Sequence, residues 1–155
     1  MVALAVEIGR ARHPRTRELF HQATGVLLRP HEHSQWSGAT WLVLAFLGSV
    51  AFYPPSVAVA AMWAVGVGDA AAALIGHSIG RFRIGWSGKT LEGGIACFAA
   101  TLLGALFVAR LSVGESIVAA IAAAVAEAPQ RPLDDNVRIA IAVGGGILLW
   151  RMVFS

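Results

Sequence analysis

The residues whose types could do chemistry are carboxylates and bases that return at intervals along the chain. Asp69 lies inside an apolar run; Arg81, Arg83 and Lys89 follow in a glycine-punctuated loop; Thr90 and Glu92 open the next apolar run. Glu127 closes a later run, and Leu133-Asp134-Asp135-Asn136 comes shortly after it. Carboxylates hold Mg²⁺, the metal bridges phosphate oxygens, and Lys or Arg neutralises charge that develops during transfer, so the set matches phosphoryl transfer from a nucleotide. A helix beginning at Leu91-Glu92 adds free backbone N–H groups and a dipole that favour a phosphate beside Lys89 and Thr90. Gly88-Lys89-Thr90 is not a Walker A sequence, because Arg83 stands where that motif requires glycine.

Each piece also has a purely structural reading. Asp69 could form an ion pair or snorkel, although an ionisable side chain at the bilayer centre costs at least about 2.5 to 3.5 kcal/mol and by default faces a partner or a wet cavity. Arg81, Arg83 and Lys89 could serve only as topology signals, and Asp134 to Asn136 could simply cap a helix. His13, His21, His31, His33 and His77 form no convincing zinc pattern, and Cys97, being alone, can make neither an intrachain disulfide nor a multi-cysteine metal site.

Membrane helices must position these residues. Of 155 residues, 57% are hydrophobic and 14% charged, against about 45 to 50% and about 25% in an average soluble domain. With a mean hydropathy of +0.68, this excludes disorder and points to a polytopic membrane protein. The net charge of +3 comes without a dense basic run interleaved with aromatics, so no nucleic-acid partner is expected. The fold class is all-α: a transmembrane helical bundle, 39–155, after a polar amphipathic and interfacial segment, 1–38, whose abrupt start fits a chain lacking upstream spans.

Five spans are expected. They are 39–53, stopped by Pro54-Pro55; 56–76, carrying Asp69; about 91–109; about 111–128; and 137–154, where Gly144-Gly145-Gly146 allows a close helix contact or a kink. This count places ten of the 12 basic residues on one side, with only Arg110 and Arg151 opposite, and the positive-inside rule makes the basic face cytoplasmic. Most of the acidic residues fall on that face too. The five tryptophans lie mostly near span ends, as an aromatic belt requires.

Taken in order, Gly68 to Gly76 (GDAAAALIG), Gly80-Arg81, Gly88-Lys89-Thr90-Leu91-Glu92-Gly93, Glu127 and Leu133-Asp134-Asp135-Asn136 resemble the membrane lipid kinases that include dolichol kinase, phytol kinase and the CTP-dependent diacylglycerol kinase. The resemblance extends from about Gly38 to Ile141. It implies transfer of the terminal phosphoryl group of a nucleoside triphosphate, typically CTP, to the hydroxyl of a membrane lipid, with Mg²⁺ as the divalent metal. The implied setting is a multi-pass protein of the cytoplasmic membrane, its active face cytoplasmic, serving lipid metabolism. Carried over, Asp69, Lys89 and Glu92 are the expected catalytic residues. Gly76, Arg81, Lys89, Thr90 and Asn136 are expected to bind nucleotide, and Asp69, Asp134 and Asp135 to bind metal.

The sequence departs from the family at two places. His77 stands where arginine often follows the glycine, and Arg17-Glu18-Leu19-Phe20-His21 matches an upstream R-K-x-x-H motif only in part. The related phosphatidate cytidylyltransferases share an acidic span residue and a K-T-x-E-G-like loop, but the His-Gly-Gly and Asp-Arg segment that usually follows is not in this sequence. A non-catalytic transport or scaffold subunit, with Asp69 as a buried ion-pair or proton site, is the third reading.

Overall fold

The computed structural model describes residues 38–84, 88–128 and 133–154. Expectations for the amino-terminal segment, the Arg17 to His21 match included, and for Trp86 and Arg131 lie outside these residues. The chain divides into two compact units, Met1–Leu44 and Ala45–Ser155, and the packing described below belongs to the second.

Five helices follow one another: α1, Gly38–Phe52; α2, Pro55–Ile79; α3, Leu91–Val108; α4, Val113–Glu127; and α5, Asp135–Phe154. Among the described residues there is no strand, only an isolated antiparallel bridge between Arg83 and Thr90. The helical membrane bundle read from composition is therefore the observed fold. Three helices, α2, α3 and α5, with 25, 18 and 20 residues, are long and apolar enough to cross a membrane. The other two, α1 and α4, have 15 residues each, short of the roughly 17 to 25 that a full crossing takes.

Local chemistry sets the boundaries. Pro54 and Pro55 end α1 and begin α2, with Pro55 in the first turn, where its absent N–H would have had no helical partner. Ser112 and Glu115 form a reciprocal capping box at the start of α4. Two features differ from smooth spans. Ala64–Gly68 in α2 and Gly104–Val108 in α3 are π turns, in which the N–H of Asp69 bonds the carbonyl of Ala64 and that of Ala109 the carbonyl of Gly104. Each inserts a residue into the helical register. The glycine triplet of α5, by contrast, leaves the helix unbroken: Gly144 admits the ring of Tyr53, and Val118 packs near Gly146.

Helices α2 and α3 meet along a seam of small residues. A methyl group at Gly68 would lie 2.6 Å from Thr101 Oγ1 and 3.5 Å from Cys97 Sγ, and one at Gly93 would lie 2.8 Å from the carbonyl oxygen of Ala72. Further along, the Trp63 ring covers Gly104 and its Nε1 donates to the carbonyl of Ala100 at 3.0 Å. Close backbone approach of this kind is how helices associate where lipid removes the hydrophobic drive between them. Ile139, Val143 and Ile147 form the buried stripe of α5, and Ser116, Ala120 and Ala123 that of α4. Phe52, Leu74, Ile95, Phe107, Val125 and Leu149 point outward and are exposed, an apolar exterior suited to lipid.

Candidate functional site

The loop from α2 to α3 is folded back on itself. Ile84 N–H donates to the Lys89 carbonyl at 2.8 Å, Leu91 N–H donates to the Phe82 carbonyl at 2.8 Å, and Gly88 turns the chain at φ 71°, where glycine carries no steric penalty. Thr90 then caps α3, its hydroxyl accepting the Gly93 N–H at 3.2 Å. The Glu92 carboxylate reaches back to accept the N–H groups of Arg81 at 3.0 Å and Phe82 at 3.2 Å. These contacts fix where Lys89 leaves the backbone.

Lys89 Nζ lies 2.7 Å from Glu127 Oε1 and 3.1 Å from Asp135 Oδ2. Glu127 is buried, at 3% exposure, because it falls on the same α4 stripe as Ser116, Ala120 and Ala123. Asp135, at the start of α5, is shared: Arg138 Nη2 donates to its other oxygen at 2.6 Å. Arg138 is itself fixed by the carbonyls of Ala126, at 2.6 Å, and Leu133, at 3.2 Å. Burial of the Lys89 ammonium works against its charge, but the Glu127 and Asp135 carboxylates outweigh that penalty and hold its pKa above the ordinary lysine value. The loop, the end of α4 and the start of α5 thus meet at a single ammonium group.

The other expected site residues fall around this junction in different ways. Asp69, half-buried on α2, sits beside Gly68 and Cys97, and the charges of Glu127, Asp69 and Lys89 all act on the Cys97 thiol. Asp134 accepts the Asn136 backbone N–H at 3.0 Å and side-chain N–H at 2.7 Å, so it caps α5 while Asn136 braces the cap. Gly76 and Thr90 lie in the contact between α2 and α3: a methyl group at Gly76 would stand 2.8 Å from Thr90 Oγ1. Arg81 is exposed on the loop surface. Glu92 accepts from the loop amides of Arg81 and Phe82.

Two residues given no catalytic, nucleotide or metal role in the sequence reading stand at the centre of the cluster, Glu127 and Arg138. Glu127 had a sequence signal, since it continues the four- and three-residue spacing of the small residues at 116, 120 and 123. Arg138 had none beyond its charge.

Among the described residues no three His, Cys, Asp or Glu side chains converge closely enough to hold a metal by themselves. Carboxylate oxygens are nonetheless the right donors for Mg²⁺, which is commonly bound by one or two carboxylates together with substrate phosphates. Asp135, with an exposed carboxylate edge, and Asp69 fit that pattern.

A very different polar group closes the far end of the bundle. Glu115 Oε1 accepts from Arg151 Nε at 2.5 Å, and its Oε2 accepts from Ser112 N–H at 2.8 Å and from Ser112 Oγ at 2.7 Å. Arg151 also reaches Ser56 Oγ at 3.4 Å.

Over 97 residues the chain is 29% identical to CTP-dependent diacylglycerol kinase 1 of Eremothecium gossypii, a match that takes in 61% of this chain and 30% of that kinase. No protein-family model matches the chain, and no solved structure matches it. The similarity supports a kinase relationship and, with the apolar helices, a multi-pass membrane protein.

Proposed function

We propose that this chain is a membrane lipid kinase, which moves the terminal phosphoryl group of CTP, or of another nucleoside triphosphate, to a lipid alcohol such as diacylglycerol or a polyprenol. The observation that carries the reading is the Lys89 junction: one ammonium, shared by a buried carboxylate and a more accessible one. Phosphate oxygens can displace Asp135 from Lys89 while Glu127 keeps the ammonium in place. Arg138 and Arg81 add charge for the remaining oxygens, and Asp135, once released, is free for the metal with Asp69 or Asp134. A divalent metal held there neutralises phosphate charge as the bond to the leaving nucleotide breaks. Glu92, Thr90 and Gly76 position the loop rather than touch the reactants. The cytoplasmic inner-leaflet placement of this end follows from the positive-inside rule.

The test is to purify the chain in detergent with Mg²⁺ and supply γ-labelled CTP or ATP with diacylglycerol, polyprenol and phytol. Label entering a lipid is the expected result. Label entering none of them, or cytidine entering lipid when phosphatidate is supplied, overturns the kinase reading.

A further inference from the structure

The two oxygens of Glu127 have unequal surroundings. Oε1 is 2.7 Å from Lys89 Nζ, whereas Oε2 is buried and has no hydrogen-bond donor among the described residues. A buried carboxylate oxygen left without a donor is costly, and an orphan of this kind in a folded protein marks a place where a ligand or an ordered water completes the bonding. Its setting narrows the choice. Glu127 is 3% exposed and its charge acts on the fully buried Cys97 of α3, so the carboxylate belongs to the packed interior of the bundle as well as to Lys89.

A triphosphate approaches Lys89 from water and an alcohol attached to a lipid approaches from the apolar side. One carboxylate touches both approaches. Resting on the lipid-kinase reading, we propose that Glu127 Oε2 is the acceptor for the lipid hydroxyl, making Glu127 a catalytic residue that sets the nucleophile in line with the phosphate held by Lys89. The O–H bond of the alcohol breaks as its oxygen forms a bond to the terminal phosphorus. The bond from that phosphorus to the bridging oxygen breaks, and the nucleoside diphosphate leaves with the electron pair. The proton passes to Oε2 and returns to water when the products depart. The Lys89 ammonium beside Oε1 holds the carboxylate in position until the alcohol arrives.

The decisive variant is Glu127→Gln, which retains a carbonyl oxygen for Lys89 and removes the charged acceptor. With a short-chain diacylglycerol in micelles, kcat for lipid phosphorylation is expected to fall about 100-fold or more, while KM and Kd for CTP stay within about threefold of the parent. Glu127→Asp, which keeps the charge and shortens the reach, is expected to recover part of the loss, and it serves as the test by the same split of kcat from CTP affinity should the glutamine variant not fold. Lipid phosphorylation at parental rate in Glu127→Gln overturns the proposal. So does a parallel loss of CTP affinity and kcat, which would make Glu127 only an anchor for Lys89. A parent chain that phosphorylates no lipid alcohol overturns the kinase reading itself, a result separate from either of these.

Discussion

Each end of the bundle is closed by a glutamate facing a base, and the two pairs are built on opposite terms. At the Glu115 end every carboxylate oxygen has its donors: Ser112 supplies two and Arg151 a third, and Ser112 and Glu115 also satisfy each other's backbone N–H groups at the start of α4. At the Lys89 end the ammonium is divided between two carboxylates, Asp135 is divided between two bases, and Glu127 keeps a buried oxygen without a donor among the described residues. An arrangement made only for stability saturates its polar groups. One made to receive ligands leaves bonding capacity in reserve on a charged group, as at Glu127; the other buried oxygens without a partner among the described residues are the uncharged hydroxyls of Thr101 and Ser116.

Removing the base at each end gives the largest contrast. Lys89→Met strands Glu127 as an unpaired buried charge, with an expected destabilisation of about 3 kcal/mol, and lowers CTP-dependent transfer about 1000-fold or more. Arg151→Met is expected to cost about 1 kcal/mol, because the capping box still satisfies half of Glu115, and to leave transfer within about threefold. Thermal unfolding in detergent and label transfer measure both. Equal losses of transfer from the two variants would erase the distinction between the ends.

The seam that brings Asp69 toward the lysine end supplies the second contrast. Gly93→Val drives a side chain into the backbone of α2 at Ala72, for an expected cost of about 1 to 3 kcal/mol. Gly94→Ala, one residue away with open space around it, is expected to be neutral or to stabilise by about 0.5 to 1 kcal/mol. Matching unfolding temperatures for the two would mean that α2 and α3 do not pack by this face.

Caps sharpen the comparison further. Thr90→Ala and Ser112→Ala each remove an N-cap and are each expected to cost about 1 kcal/mol. Only Thr90→Ala also releases the loop that carries Lys89, so only it is expected to raise KM for CTP. The smallest expected effect is with pH. Because the folded state raises the Lys89 pKa above 10.5, its ion pairs contribute fully below that pH and are lost as pH rises through the higher folded value. Unfolding temperature is therefore expected to fall above about pH 10.5 in the parent chain and to fall less in Lys89→Met.

Much of this was legible in the chain itself. Pro54-Pro55 and the apolar runs located the helices to within a few residues, and the lysine loop, Glu127 and the Asp134 to Asn136 stretch were visible as separate motifs. What escaped was what depends on three-dimensional register. The π turn before Asp69 sums small packing choices along α2 and leaves no signature in hydropathy. That Glu92 accepts from the Arg81 and Phe82 amides depends on how the loop folds back, which residue spacing does not show. Burial of Glu127 comes from helical periodicity, but its charge at a span end reads equally well as an interfacial group. Arg138 was counted for its sign alone, since nothing in the sequence tells that its guanidinium turns toward Asp135 and two carbonyls.

Lys89 is the only lysine in the chain, which makes the central claim directly measurable. Protein labelled with ¹⁵N at lysine Nζ gives a single side-chain resonance, and that resonance can be followed as CTP and Mg²⁺ are added. If Lys89 exchanges Asp135 for phosphate, the signal moves with saturation by nucleotide and moves differently in Asp135→Asn. A signal that stays in place at nucleotide concentrations supporting lipid phosphorylation would contradict the assignment of this junction as the triphosphate site.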